Sequence, residues 1–361
     1  MTDDCLKLTS YFGERQRTDV AGRFLAEALL ELYDRREVAT SVMLRGLTSF
    51  GPRQILRTDQ SLSLSEDPPV AVAAVDTSAK ISTLVDEVIA MTPRGLVTIE
   101  RARLLGGDTG PIAVPDGLAE AVKLTIYVGR QERVGGDPAY YAVCDLLHRR
   151  RLSGASVFLG VDGTAHGVRH RARFLSRNVN VPVMIIAVGS VEQISGVLPE
   201  LAGSLHEPLI TIERVRVCKR DGQLLARPDP LPAADESGLT VWQKLMVYTS
   251  EAARHGGEPI HRALIRRLRE SRTVTGATVL RGIWGFHGDH PPHGDKLIQL
   301  GRQVPVTTII VDTPERIARC FDVVDEVTDR HGLVTSEMVP ALVSIDASQR
   351  HGGTRLARLR Y

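Results

Sequence analysis

The chain has 361 residues, 43% of them hydrophobic, and its 45 Lys and Arg nearly offset 43 Asp and Glu, leaving a formal charge of +2. That balance excludes the field of one sign that recruits nucleic acid, and the length allows two or three domains. Cys5, Cys144, Cys218 and Cys320 stand far apart with no Cys-x-x-Cys pair, which argues against a disulfide framework or a cysteine zinc site. The amino terminus is polar and acidic, and no apolar run approaches the roughly 20 residues a membrane helix needs, so a cytoplasmic protein is expected.

Residues 1–105 read as one unit. Leu6, Leu8 and Phe12 alternate with Lys7, Thr9 and Tyr11 in an opening strand with one apolar face. Val20, Phe24, Ala28, Leu29 and Leu32 follow at helical spacing, with Thr18 or Asp19 as the expected cap. A strand through Val42, Met43 and Leu44 ends at Arg45-Gly46, residues 51–69 form a long polar loop, and residues 69–75 make an apolar strand. Asp76-Thr77 caps a helix with Ile81, Leu84, Val85, Val88 and Ile89 on one side, and residues 95–103 close the unit as a strand. The order is βαββαβ, the ferredoxin-like split unit.

The end strands return twice. Lys7-Leu8-Thr9-Ser10-Tyr11 is echoed by Lys123-Leu124-Thr125-Ile126-Tyr127 and Lys244-Leu245-Met246-Val247-Tyr248. Leu96-Val97-Thr98-Ile99-Glu100 is echoed by Leu209-Ile210-Thr211-Ile212-Glu213 and Leu333-Val334-Thr335-Ser336-Glu337. An α+β chain of three tandem units is therefore expected, at 1–105, 118–221 and 239–345. Linkers rich in Gly and Pro occupy 106–117 and 222–238, and residues 346–361 read as a flexible tail. In the second unit Ser190 and Gln193 form a capping box, but Gly196 and Pro199 predict a shortened or kinked helix. In the third, Asp312-Thr313-Pro314 starts a helix with Pro at its first position.

Helices of such a unit cover one sheet face, and the other must find a partner. Alternation places Lys7, Tyr11 and Glu100 on that open face, with Lys123, Tyr127 and Glu213 in the second copy and Lys244, Tyr248 and Glu337 in the third. Each Lys is expected to pair with a Glu across the sheet or across a junction between copies, beneath a ring of tyrosines. Buried pairs of this kind are often purely structural.

The first copy, with Leu44-Arg45-Gly46, residues 62–70, Val75-Asp76-Thr77 and Gly95 to Glu100, resembles the PII-like family catalogued as domain of unknown function one-ninety. The third resembles it through Gly276 to Gly282, Val311-Asp312-Thr313 and Gly332 to Glu337, and the second mainly through its end strands. The resemblance implies a PII-type trimer built inside one chain, a monomer with internal pseudo-threefold symmetry and small-ligand clefts between units. It also implies a regulatory role: the long loop after the second strand senses a small-molecule effector and contacts a partner, for which a membrane transporter or channel is the family's precedent. Carried onto this chain, the ligand candidates are Arg45, Gly46, Phe50 and Gly51 in the first copy and Arg281, Gly282, Gly285 and Phe286 in the third. An Arg beside a Gly suits an anion, an adenine nucleotide being one candidate, because the guanidinium offers forked donors and Gly admits close approach. In the second copy Gly160-Val161-Asp162-Gly163 stands where Arg-Gly is expected.

His287, His290 and His293 lie within one third-copy loop and could bind a divalent metal. A metal-responsive protein centred on them is the alternative reading, with a passive scaffold as a further one. Residues 288–296 depart from a phosphate loop, since Asp295 separates Gly294 from Lys296 and no Ser or Thr follows. With no nucleophile elbow or His-Glu-x-x-His helix, no enzyme is expected.

Overall fold

The structure, a computed structural model, describes residues 4–19, 22–58, 67–105, 121–171, 181–288, 292–294 and 304–359. The linker expected at 106–117 lies outside the described residues. The first unit runs β1 (Asp4–Gly13), α1 (Leu25–Arg35), β2 (Thr40–Phe50), β3 (Pro69–Thr77), α2 (Ser78–Met91) and β4 (Arg94–Leu105). The second runs β5 (Ala121–Gly129), α3 (Ala139–Arg149), β6 (Gly154–Leu159), β7 (Pro182–Ser190), α4 (Val191–Ser204) and β8 (Leu209–Arg220). The third runs β9 (Trp242–Ser250), α5 (Ile260–Ser271), β10 (Ala277–Arg281), β11 (Pro305–Asp312), α6 (Pro314–Val327) and β12 (Leu333–Val339).

Within each unit the antiparallel strand order is last, first, third, second: β4-β1-β3-β2, β8-β5-β7-β6 and β12-β9-β11-β10. The apolar residues of each opening strand face the helices, so Leu6, Leu8 and Phe12 share a core with Leu29, Tyr33, Leu84 and Val88. The opposite faces meet in a further core that draws on all three units, including Val42, Met184 and Ile309.

The units also trade strands. The start of each second strand pairs with the continuation of a neighbour's second strand: Thr40 to Met43 with Asp162–Ala165, Gly154 to Val157 with Trp284–His287, and Ala277 to Leu280 with the end of β2. Each strand therefore crosses from its own sheet to the next. The crossing point is a glycine in all three copies: Gly46, Gly160 and Gly282. A Cβ at Gly46 would sit 2.7 Å from the Val279 carbonyl oxygen, and one at Gly282 would sit 2.8 Å from that of Val157. β8 then pairs with both β4 and β12, closing a circuit of nine strands, β4-β1-β3-β2-β10-β11-β9-β12-β8. The three β-rich repeats thus intertwine into one barrel with an internal pseudo-threefold arrangement.

Three local expectations are corrected. Helix α1 begins at Leu25 with Phe24 as its N-cap and no side-chain cap; Phe24 is 41% exposed and lies under the Arg17 guanidinium at 4.3 Å, so it is not part of the buried stripe. Helix α4 keeps 14 residues through Gly196 and Pro199, the length of α2 and α6. Its capping box and the buried Ile194, Val197, Leu198 and Leu201 hold it, because tertiary burial outweighs local propensity. The stretch expected as a flexible tail carries a strand, Gln349–Gly353, paired with Ala341–Asp346, which in turn pairs with β4 of the first unit.

Because the circuit closes within one chain, light scattering should report a particle of 39.5 kDa at all concentrations. A stable trimer of chains would contradict intramolecular closure.

Candidate functional site

Strand register builds the centre of the molecule. Lys7 lies directly opposite Glu100, Lys123 opposite Glu213 and Lys244 opposite Glu337, one pair per unit. These pairs face inward, where each Lys also reaches a Glu of another unit. Lys7 bonds to Glu213, Lys123 to Glu337 at 2.6 Å, and Lys244 to Glu100. Within units the distances are 3.3 Å for Lys7 and Glu100, 2.7 Å for Lys123 and Glu213, and 3.0 Å for Lys244 and Glu337. The result is a closed ring of alternating charge, with every member buried.

Two layers continue from the ring along the strands. Thr9, Thr125 and Met246 come next on the same face, opposite Thr98, Thr211 and Thr335, and Thr98 donates to Glu100 at 2.9 Å. Then come Tyr11, Tyr127 and Tyr248, opposite Leu96, Leu209 and Leu333. Burial raises the pKa of each tyrosine, that of Tyr11 to about 12, so these hydroxyls stay protonated.

Burial works against every charge in the ring, and the partners decide the outcome. For Glu100 the cost of burial is outweighed by Lys244, Lys7 and Lys123, which hold its carboxyl well below the usual range; Glu213 is held low chiefly by Lys123 and Lys7 against the same penalty. Lys7 and Lys244 are raised, the neighbouring glutamates overcoming burial. Lys123, only 1% exposed, is the exception: desolvation prevails over Glu213 and Glu337 and lowers its pKa. One oxygen from each of Glu100, Glu213 and Glu337 lies within 4.8 Å of the others, a buried acidic cluster that could chelate a metal ion. Its negative charge is already matched by three ammonium groups, so a cation would have to displace at least one proton.

The histidine loop is distributed differently. His287 ends a strand paired with β6, and its Nε2 meets the Thr249 carbonyl oxygen at 3.1 Å. His293 sits opposite Gly285 in a short pairing, and His290 lies outside the described residues. Among the described residues no group of three metal ligands includes His287 or His293.

A cleft of about 160 Å³ opens between the first and third units. Tyr11, Phe50, Ile309 and Val311 supply apolar walls, Gly51 lies at its edge, and Arg53, Arg57 and Arg94 bring positive charge. Asp346, from the third unit, accepts from Arg53 at 2.7 Å and lies 3.6 Å from Arg94. Phe50 and Gly51 are the candidate ligand residues that the structure brings here. Arg45 pairs instead with Glu14 at 2.7 Å and Arg281 with Glu251 at 3.0 Å, away from the cleft lining. Gly46 and Gly282 serve the strand crossings. Gly285, at φ 155°, admits the Ala155 carbonyl, and Phe286 is wholly buried in the second unit's core, edge-on to His148 at 5.1 Å.

Sequence reasoning missed Arg53, Arg94 and Asp346 as cleft residues. Their meeting depends on the carboxy-terminal hairpin reaching the first unit, which no local pattern announces. Structural equivalence also corrects the second copy: Glu14, Arg130 and Glu251 donate their backbone N–H groups to Pro68, Val181 and Val304 in turn. Leu159-Gly160 is therefore the counterpart of Arg45-Gly46, so the crossing glycine is kept while both members of the Arg–Glu pair are replaced.

The family model described as DUF190, uncharacterized ACR, matches residues 5–104, 121–217 and 242–341. A UPF0166 protein of Aquifex aeolicus is 35% identical over 99 residues, 27% of this chain and 90% of that protein. A UPF0166 protein of Methanocaldococcus jannaschii is 36% identical over 86 residues, 23% of this chain and 78% of that protein. Each relative thus spans about one repeat of this chain. No helix among the described residues is long and apolar enough to cross a membrane.

The ring sets two expectations. Lys123→Met leaves Glu213 and Glu337 undercompensated and should lower unfolding free energy by about 3–5 kcal/mol, the usual loss when one partner of a buried pair is removed; a urea midpoint equal to that of the parent would contradict it. Glu100 and Glu213 have folded pKa values below their unfolded ones. Their contribution is therefore complete above the unfolded value of about 4.3 and is lost as pH falls through the folded values. Melting temperature should fall steeply on acidification below about pH 4, and that fall should be shallower in a Glu213→Gln variant.

Proposed function

We propose, for a chain that belongs to the DUF190 family through three tandem domains, a non-enzymatic regulatory role in which a small anionic ligand enters the cleft between the first and third repeats. In this reading the three repeats form a PII-like pseudo-trimer of ferredoxin-like units, each equivalent to one chain of an ordinary trimer. The strand order within each unit and the cyclic exchange between units support it. The observation that carries the function is the pairing of Asp346 with Arg53 and Arg94 in a cleft with apolar walls. A carboxylate of the protein occupies the guanidinium groups that an anionic ligand would use, while Tyr11 and Phe50 offer surface for a flat or apolar moiety.

Such a ligand competes with Asp346 and so acts on the hairpin Ala341–Asp346 and Gln349–Gly353, which joins the third unit to β4. A ligand shifts a conformation only by its differential affinity for two states; here the states differ in whether Asp346 or the ligand holds the arginines. The response would pass to a partner through the hairpin and the loop after β2, with a cytoplasmic face of a transporter or channel as the class of partner that the PII-like reading suggests.

The test is a thermal-shift panel of ATP, ADP, AMP, cyclic AMP and simple anions. A ligand at a hundred times its Kd stabilises the fold by about 2.7 kcal/mol. A shift that disappears in an Arg53→Ala, Arg94→Ala double variant and grows in Asp346→Asn supports the reading; no shift with any anion, or a shift indifferent to these variants, refutes it. A second reading, divalent metal in the ring, rests on the 4.8 Å grouping of the three glutamates and on Lys123 as the amine whose proton burial loosens. It requires proton release on metal addition, so a calorimetric titration in buffers of different ionisation enthalpy should show heats that differ with buffer and vanish in Glu213→Gln. Equal heats would rule it out.

A further inference from the structure

The size, walls and charge of the cleft between the first and third units narrow its ligand to one chemical class, a step that rests on that cleft being the site proposed above. Its volume is about 160 Å³. A cavity of about 150 Å³ lined by Leu, Ile and Phe holds one benzene molecule, so the cleft encloses a single ring or a branched chain of similar bulk. Phe50, Leu96, Ile309, Val311 and Ile345 supply apolar walls. Two of the uncharged polar side chains there are committed: Gln16 donates to the Arg94 carbonyl oxygen, and the Thr275 hydroxyl donates to Asp312 at 2.9 Å. The others are Tyr11, Ser49 and Thr278, the last two opposite each other between β2 and β10. A nucleobase and sugar, which must exchange many water hydrogen bonds for protein ones, are poorly matched to such walls. A hydrocarbon group is well matched.

Two local features prepare the mouth for such a group. Ile55 lines it and is 58% exposed, beside Leu56 at 43%. The preceding Gln54 holds a left-handed φ of 57°. Its N–H donates to the Gly51 carbonyl at 2.8 Å, and its own carbonyl accepts from Arg269 Nε at 3.2 Å. Strain of this kind persists only where the surroundings over-determine it, and here it sets an apolar side chain at an opening rather than in a core. The second feature is Gly51. Counted from the crossing glycines Gly46 and Gly282, its equivalent in the third unit is His287, whose ring reaches the Thr249 carbonyl at 3.1 Å. Thr249 is the counterpart of Phe12, which lines the cleft. A Cβ on Gly51 would meet nothing within 4 Å, so the space that the histidine takes in the third unit is open in the first.

Charge at the mouth points to a single anionic group. Arg57 is paired with Asp67 at 3.4 Å, while Arg53 and Arg94 share one carboxylate, Asp346, so one positive charge is left over. Arg94 carries it most openly. Its Nε lies 3.6 Å from Asp346, beyond hydrogen-bonding distance. Its side chain is 57% exposed, and its two terminal amino groups have no partner among the described residues. We infer that the ligand is a small hydrophobic monocarboxylic acid, its aryl or branched-alkyl group filling the cleft under Ile55 and its carboxylate held by the forked donors of Arg94. A polyphosphate brings more negative charge than the one remaining positive charge balances. The bound carboxylate repels Asp346, and by that repulsion acts on the hairpin that Asp346 anchors.

Calorimetry on the full chain would use phenylacetate and isocaproate as probes, with acetate for the charge alone, benzyl alcohol for the ring alone and ATP for a polyphosphate. Saturable binding of phenylacetate or isocaproate, one per chain, is expected, at least tenfold tighter than that of acetate, benzyl alcohol or ATP. Arg94→Met should weaken the bound acid at least tenfold and leave benzyl alcohol unchanged. Gly51→His, which copies the third unit, should abolish binding, and it introduces its Cβ into open space. Acid binding that survives both variants, or acetate bound as tightly as the larger acids, would overturn the assignment. ATP binding that is lost in the Arg53→Ala, Arg94→Ala double variant, with neither hydrophobic acid bound, would overturn the hydrophobic acid and leave the cleft as an anion site. Silence of every anion would refute both.

Discussion

The fold depends on the neutralisation of three buried lysines by three buried glutamates, arranged so that each lysine is shared between the glutamate of its own unit and that of a neighbour. In an isolated repeat Lys7 would face only Glu100, on a sheet face open to water; in the assembled chain each ammonium lies between two carboxylates and each carboxylate between two ammoniums. Removing six charges from water is expensive, and attraction repays it only when the alternation closes. Such a ring adds little net stability over an apolar core, but it penalises any arrangement that leaves one member out. It therefore specifies number and order: three units, each in contact with the other two.

Strand exchange gives the same specification a second, uncharged form. Each second strand lends its first half to one neighbour and its second half to another, and the crossing requires backbone approaches that a Cβ would block at Gly46, Gly160 and Gly282. The ring and the crossings thus lock together. This explains why these glycines persist even in the second copy, where Arg45 and Glu14 have become Leu159 and Arg130. Both members of the charge pair are absent together, which leaves no glutamate stranded beside a leucine. Once three domains share one chain, the junctions need not be equivalent: the Arg–Glu pair stands beside the crossing glycine in the first and third units and is replaced in the second.

Much of the centre was legible in the sequence because period-two alternation and repetition act on the same residues. Lys7, Tyr11 and Glu100 lie on one face by strand geometry alone, and their recurrence points to a shared axis. Which glutamate each lysine would reach was not legible, since the inter-unit contacts follow from sheet closure. The ligand candidates were harder. Arg45-Gly46 and Arg281-Gly282 stand out as motifs, yet the glycines are explained by strand crossing and the arginines by Glu14 and Glu251, partners that are adjacent only in the folded molecule. Helix α4 shows the opposite failure, in which a correct local rule about Pro199 is overridden by four buried apolar side chains. The stretch after Ile345 reads as a tail because its composition is polar, but its backbone is held by pairing with Ala341–Asp346, an interaction indifferent to side-chain hydropathy.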